Sequence, residues 1–214
     1  MEDLVVIGAG GFGRETLDVV DAINSSADKP TYSVVGVIDP MPGPENLRRL
    51  RARGVDYLGS DDDWLATGKL ARYVVAIGNP RIRLRIDTKY QAAGHLRVWP
   101  LVHPSAGIGS SALPGDGSVI CAGVQVSTNV SMGLHVQLNP NSTIGHDSVL
   151  DDFVSVNPGA IISGGVHLME GAFVGAGAVV LEALTVGSYA RVGASACVVR
   201  DVSSGVTVKG VPAL

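Results

Sequence analysis

Cysteine, aromatic residues and charge are all scarce in this 214-residue chain. Two cysteines, Cys121 and Cys197, cannot build the disulfide framework of a small secreted domain. Both read as small buried or half-buried residues in a reducing cytoplasm. Charged residues make up 17 % of the chain and aromatics 5 %, where about a quarter of residues is usually charged. With 46 % apolar residues, that shortage excludes a disordered chain. No apolar run reaches the roughly 18 residues of a membrane helix, so no membrane partner is expected. Met1-Glu2-Asp3 leads straight into an apolar run without a signal-peptide pattern, and the expected location is cytoplasmic. A net charge of −4 argues against a nucleic-acid partner.

The charge that is present is unevenly placed. Residues 1–101 hold 26 of the 36 charged side chains, and residues 102–203 hold nine and no lysine. This break divides the chain near residue 100, into expected domains 1–100 and 101–214. In the first, Leu4–Ile7, Val34–Ile38 and Tyr73–Ile77 are short apolar runs of the kind found in buried parallel strands. Helical patterns lie between them. One has Phe12, Thr16, Val19, Val20 and Ile23 on one side, one covers Arg48–Arg53, one starts at Asp61, and one runs over Arg81–Ala93. Leu96–Trp99 adds a possible strand. Strands alternating with helices imply a parallel sheet, here a Rossmann-like α/β domain.

The second domain is governed by a six-residue repeat. From Val102 every sixth residue is apolar: Ile108, Pro114, Ile120, Val126 and onward to Val198, and fifteen of these 17 are Val, Ile or Leu. From Ala106 to Val202 the position two residues before is always Ala, Ser, Val or Leu, and Gly, Asn, Asp or Ser often follows the apolar residue. A branched residue fills an interior, a small one fits the inner corner, and the residue after tolerates a tight turn. Three hexads make one triangular coil. Seventeen make between five and six coils, about 25 Å tall at a strand spacing of roughly 4.8 Å.

The hexad rule resembles that of the hexapeptide-repeat acyltransferases. That resemblance implies a left-handed parallel β-helix, a homotrimer, and acyl-CoA bound between neighbouring helices. Leu4–Glu15, Val35–Asp39, Val75–Asn79, Ile144-Gly-His-Asp147 and Gly210–Ala213 narrow it further. Taken in order, they are similar to the sugar O/N-acyltransferases of the sialic acid O-acetyltransferase type, which include UDP-4-amino-sugar N-acetyltransferases. The expected fold is therefore an α/β N-terminal Rossmann-like domain followed by an all-β left-handed parallel β-helix.

Gly8, Gly10 and Gly13 satisfy G-x-G-x-x-G between a strand and a helix, where backbone N–H groups can hold a phosphate. A packing turn or an NAD site fits the same three glycines, although hexads leave no room for a dehydrogenase domain. The resemblance implies instead that the turn takes a nucleotide-linked sugar, through Gly10, Gly11 and Phe12, with Asp39 and Gly78 at the ends of the next two strands. Arg83 is either a phosphate contact or a solvated helix residue.

Acyl transfer needs a base for the attacking group and donors for the oxyanion. Histidine suits the first role. His95 lies in the linker and His103 at the entry to the coils, while His135 and His167 occupy variable hexad positions expected at the surface. The resemblance implies that His146 is the base and Asp147 its acid partner. Neighbours on a strand point oppositely, so their contact requires a corner or a second subunit. Carried over in the same way, Ser155, Ala176 and Ala194 contact acetyl-CoA, the acyl donor, and no metal is needed. The predicted activity is acetyl transfer to the amino group of a nucleotide-linked amino sugar. A sugar O-acetyltransferase or a noncatalytic β-helix binding protein are the alternatives.

Overall fold

A computed structural model describes residues 1–214. The chain begins with β1 (Glu2–Ile7), α1 (Gly11–Ser26), β2 (Tyr32–Ile38), α2 (Pro44–Ala52) and α3 (Asp61–Ala66). It continues with β3 (Arg72–Val75), α4 (Pro80–Ala92) and β4 (Leu96–Arg97), and the first coil strand, β5, is Leu101–Val102. The first four strands form one parallel sheet in the order β2-β1-β3-β4. Apolar runs build it because both faces are covered. Leu4, Val6 and Val74 share a core with α1 and the coils, and Val5, Ile7, Tyr73 and Val75 pack with Trp64, Ile86 and Tyr90. Gly13 is dictated by the sheet: a Cβ there would lie 1.9 Å from the Gly8 carbonyl oxygen.

From Leu101 the chain winds into a parallel β-helix of about six turns. Strands of two residues stack into three sheets of seven, six and four strands. Each residue sits over the one 18 positions earlier, as in Gln137↔Ser155, Thr143↔Ile161 and Val149↔His167. The hexad residues from Ile120 to Val198 point inward and are buried, and so are most of the small residues two positions before them. Coil amides donate to the next coil's carbonyls, for example Thr143 N to Ala160 O at 2.9 Å. The hexad phase ends after Val198. The last turn is shorter, with Val202 bridging Val186 and Val208 paired with Val192.

The two parts share that apolar core and are also joined along a polar seam in which α4 lies against the coils, and here two expectations fail. His135 is not at the surface. It is fully buried, its Nε2 lies 2.7 Å from Asp87 Oδ1, and its ring stacks on Phe153 at 5.4 Å between centroids. Arg83 is neither solvated nor able to touch a ligand, because it is also fully buried. Outward-pointing hexad positions are solvent-exposed only where nothing docks on them, and α4 covers these. His167 is half-buried, with Nε2 3.0 Å from Asp151 Oδ1.

Asp87 organises part of this seam. It accepts from Arg97 at 2.8 and 2.9 Å and from Tyr73 OH in a very short bond. Burial would push its carboxyl up, but the bonds to His135 and Arg97 outweigh this and hold it well below the usual carboxylate range. A depressed carboxyl contributes stability that is complete above its unfolded pKa and lost as pH falls below about 4. Urea unfolding should show Asp87→Ala less stable at neutral pH by about 3–5 kcal/mol, the cost of stripping one partner from a buried ionic cluster. Asp87→Asn should also lose part of the wild-type decline in stability below pH about 4. An unchanged acid limb would show that Asp87 is not ionised in the fold.

Candidate active site

Two regions carry the expected residues. The first is the carboxyl end of the N-terminal sheet. Helix α1 has Gly10 as its N-cap and therefore no side-chain cap, which leaves its first amides without a protein side-chain partner. By contrast α4 is capped by its own residue Asn79, whose Oδ1 accepts from Arg81 N and Ile82 N. A Cβ on Gly10, Gly11 or Gly78 would meet nothing within 4 Å. No packing within the chain requires glycine at these three positions, and the backbone there is open to a ligand. Phe12 is half-buried and packs on the core. Asp39 ties the turn together, with Oδ2 accepting from Ala9 N and Oδ1 from Met41 N, each at 2.9 Å.

Beside this turn lies a cavity of about 450 Å³. Ile7, Ile38, Ile77, Ile82 and Ile86 line it, and Asp39, Asp61, Arg85 and Lys89 add polar groups. An apolar slot with a few charged groups at the end of parallel strands is the usual place for a nucleotide in such folds.

The second region is on the coils. His146 and Asp147 occupy a corner between two faces, and Asp147 adopts a left-handed backbone, φ 60°. That turn brings neighbouring side chains together, so the pair needs no second subunit to meet. His146 Nδ1 lies 2.7 Å from Asp147 Oδ2. With Nδ1 donating to the carboxylate, Nε2 is left as the basic nitrogen, and the ring is 64 % exposed. Asp147 also accepts from Asn129 Nδ2 at 3.1 Å. The His146 and Asn129 bonds, in that order, lower its pKa. Gly164, one coil on, leaves space for the ring, since a Cβ there would lie 2.6 Å from His146 Nε2. Asn129 and Gly164 were not among the expected site residues. Their signal was the register itself, 18 residues before Asp147 and 18 after His146.

The expected acetyl-CoA contacts divide. Ala176 and Ala194 are exposed, stack one coil apart, and line a shallow groove of about 350 Å³ with Asn157, Phe173, Arg191 and Thr207. Arg191 lies over the Phe173 ring at 4.4 Å. Ser155 is a correction. It is 1 % exposed and its Oγ accepts from Arg83 at 2.9 Å, so the docked N-terminal domain closes it off from a ligand.

Comparison with known proteins bears on the fold and the family. Residues 3–90 match the PglD N-terminal domain. The chain is 31 % identical over 153 residues to GDP-perosamine N-acetyltransferase of Escherichia coli O157:H7, a match spanning 70 % of this chain and 65 % of the relative. A mutant of perosamine N-acetyltransferase from Caulobacter crescentus, solved in complex with CoA and GDP-perosamine, superposes with TM-score 0.86 and 29 % identity, covering 100 % of this chain and 96 % of that one. The acetyltransferase domain of PglB from Neisseria gonorrhoeae, solved in complex with acetyl coenzyme A, is 32 % identical with TM-score 0.85, covering 100 % and 98 %. The chain belongs to the hexapeptide-repeat sugar acetyltransferases. In this family the solved neighbours are left-handed β-helices, and the expected fold class stands.

The His146–Asp147 corner of this family member yields a direct test. Asp147 should titrate below the ordinary carboxyl range, near 3.9, when followed by carboxyl carbon NMR. His146→Ala and Asn129→Ala should each move it upward, the first by more. A carboxyl that stays put in both variants would mean that the corner hydrogen bonds do not form in solution.

Proposed function

We propose that the chain transfers the acetyl group of acetyl-CoA to the amino group of a nucleotide-linked amino sugar. The observation that carries this reading is the His146–Asp147 corner: one imidazole nitrogen is held by a carboxylate and the other is free. The open glycine turn and its adjoining cavity on the same chain support a nucleotide-linked acceptor. Of the proteins named above, the perosamine N-acetyltransferase was solved with CoA and GDP-perosamine, and the PglB acetyltransferase domain with acetyl coenzyme A.

Acetyl-CoA supplies the thioester, and the groove at Ala176 and Ala194 is shaped for its thin pantetheine arm. His146 Nε2 takes a proton from the acceptor nitrogen as that nitrogen bonds to the acetyl carbon. The carbon–sulfur bond breaks, the proton passes to the departing sulfur, and CoA leaves as the thiol. Asp147 holds the imidazole in the tautomer with Nε2 free and stabilises the imidazolium form. The transfer is direct. Cys121 is buried, with its thiol pushed up to about 12 by burial, and is a poor nucleophile.

We propose further that three copies assemble around one coil face. The outward residues of the face between these two corners are Gly107, Gln125, Thr143, Ile161, Val179 and Cys197, none of them charged. The His146 corner lies along one edge of that face and the Ala176–Ala194 corner along the other. Rotational packing of such a face sets one copy's histidine beside the next copy's groove.

The test is thiol release from acetyl-CoA with GDP- and UDP-linked 4-amino sugars. His146→Ala should bind both substrates and lose kcat by roughly 10²–10⁴, the usual worth of a general base. His167→Ala is the control and should lose little. The wild-type rate should fall at low pH, where His146 and the acceptor amine both hold protons. A Cβ at Gly11 meets nothing within 4 Å, and Gly11→Val should raise the acceptor KM while leaving acetyl-CoA affinity intact. Near wild-type turnover by His146→Ala with the same pH profile would remove His146 from the mechanism.

A further inference from the structure

Arg83 is the only lysine or arginine that is fully buried in the chain. Its partners are all neutral. Nη1 donates to Ile77 O at 2.9 Å, Gly78 O at 3.1 Å and Gln137 Oε1 at 2.9 Å. Nη2 donates to Ser155 Oγ at 2.9 Å, to Val154 O at 3.4 Å, and to Phe153 O in a very short bond. Nε has no partner at all. Asp87, one helical turn along α4, is already engaged by Arg97, His135 and Tyr73. Burial pushes the guanidinium down to about 9, so it remains charged at neutral pH.

A buried cation without a counter-charge costs stability, which the bonds to Gln137, Ser155 and the turn carbonyls offset. Its location suggests another reason for keeping it. Ile77 and Gly78 form the turn after β3, which adjoins the glycine turn after β1: a Cβ on Gly8 would lie 2.7 Å from Ala76 O. Gly78 is exposed and open. On the other side of the guanidinium are Gln137, in the coil that continues to His146, and Ser155 in the next. Arg83 therefore stands between the open turns and the catalytic coil and touches both.

We propose that Arg83 is a positioning residue for the acceptor. It fixes the Ile77–Gly78 turn on the coils and leaves a positive charge beneath that turn for the acceptor's diphosphate to answer. This rests on the acceptor reading given above. Because the charge has no carboxylate partner within the chain, it is available to an anion bound on the other side of the turn.

Gln137→Glu tests the charge without removing Arg83. It sets a carboxylate where Oε1 now accepts, and gives up the bonds from Nε2 to Val75 O at 3.1 Å and to Ile77 O at 3.3 Å. Arg83→Met tests the same point by deleting the charge. Calorimetry on the full-length protein would compare GDP with guanosine, UDP with uridine, and acetyl-CoA. In both variants the diphosphate should bind more weakly by about tenfold or more, the scale of one charge–charge interaction through partly buried protein. Nucleoside and acetyl-CoA affinities should be unchanged. Equal losses for nucleoside and diphosphate, or none for the diphosphate, would overturn the proposal and leave Arg83 a structural residue. Should Arg83→Met fail to fold, Gln137→Glu carries the test alone, because it keeps the guanidinium and satisfies it. A wild-type protein that binds acetyl-CoA but neither diphosphate would defeat the acceptor reading and this proposal with it. Wild-type transfer with unaltered variant affinities would defeat this proposal only.

Discussion

The 18-residue register of the coils is the constraint on which the rest of the molecule depends. Each coil presents its backbone to the next, so no residue can shift along the chain without breaking hydrogen bonds above and below. Side chains 18 apart become neighbours in space. That rule sets Asn129 against Asp147, Gly164 under the His146 ring, Ala176 over Ala194, and Gln137 beside Ser155. A corner such as His146–Asp147 built this way is preorganised, because its parts are strapped to a stack with little freedom to relax.

The N-terminal domain is attached to that stack through the apolar core that α1 shares with the coils and, along α4, by a different kind of interaction. Where the coil faces itself the contacts are Val, Ile and Ala. Where α4 faces the coil they also include Arg83, Asp87, His135, Gln137 and Ser155. Buried polar bonds are directional and costly to leave unmade, so they fix one docking geometry where an apolar seam would allow sliding. The same helix is capped by Asn79, directly after Gly78, and its docking therefore also sets where the Ile77–Gly78 turn stands relative to the coils.

Much of this was legible in the residues. The hexad positions from Ile120 to Val198 showed the coil, because a triangular interior admits one branched residue per side and repeats without interruption. The glycine turn was legible as a turn, and the resemblance singled out Gly10 and Gly11 in it, but spacing alone did not separate them from Gly13. Gly13 is demanded by the Gly8 carbonyl, whereas Gly10 and Gly11 have open space around them. The meeting of His146 and Asp147 was expected only if a corner intervened, and the left-handed backbone at Asp147 provides one. The seam was not legible. A hexad pattern says which residues point outward and nothing about what covers them, so His135 and Ser155 could not be recognised as buried before α4 was seen lying on them. Arg83, in a helix rich in arginine, gave no sign that it alone turns inward.

Three copies sharing their sites across boundaries is the most exposed part of the account, and mixing subunits tests it directly. A His146→Ala subunit lacks the base, and an Ala194→Trp subunit has its groove filled. Each homogeneous protein should be inactive. Co-expressed in equal amounts, they should recover about a quarter of wild-type acetyl transfer, because random assembly pairs an intact groove with a neighbour's intact histidine at that frequency in a cyclic trimer. Mixed assemblies, verified as such, that remain inactive would place histidine and groove of one site within a single subunit and contradict the account.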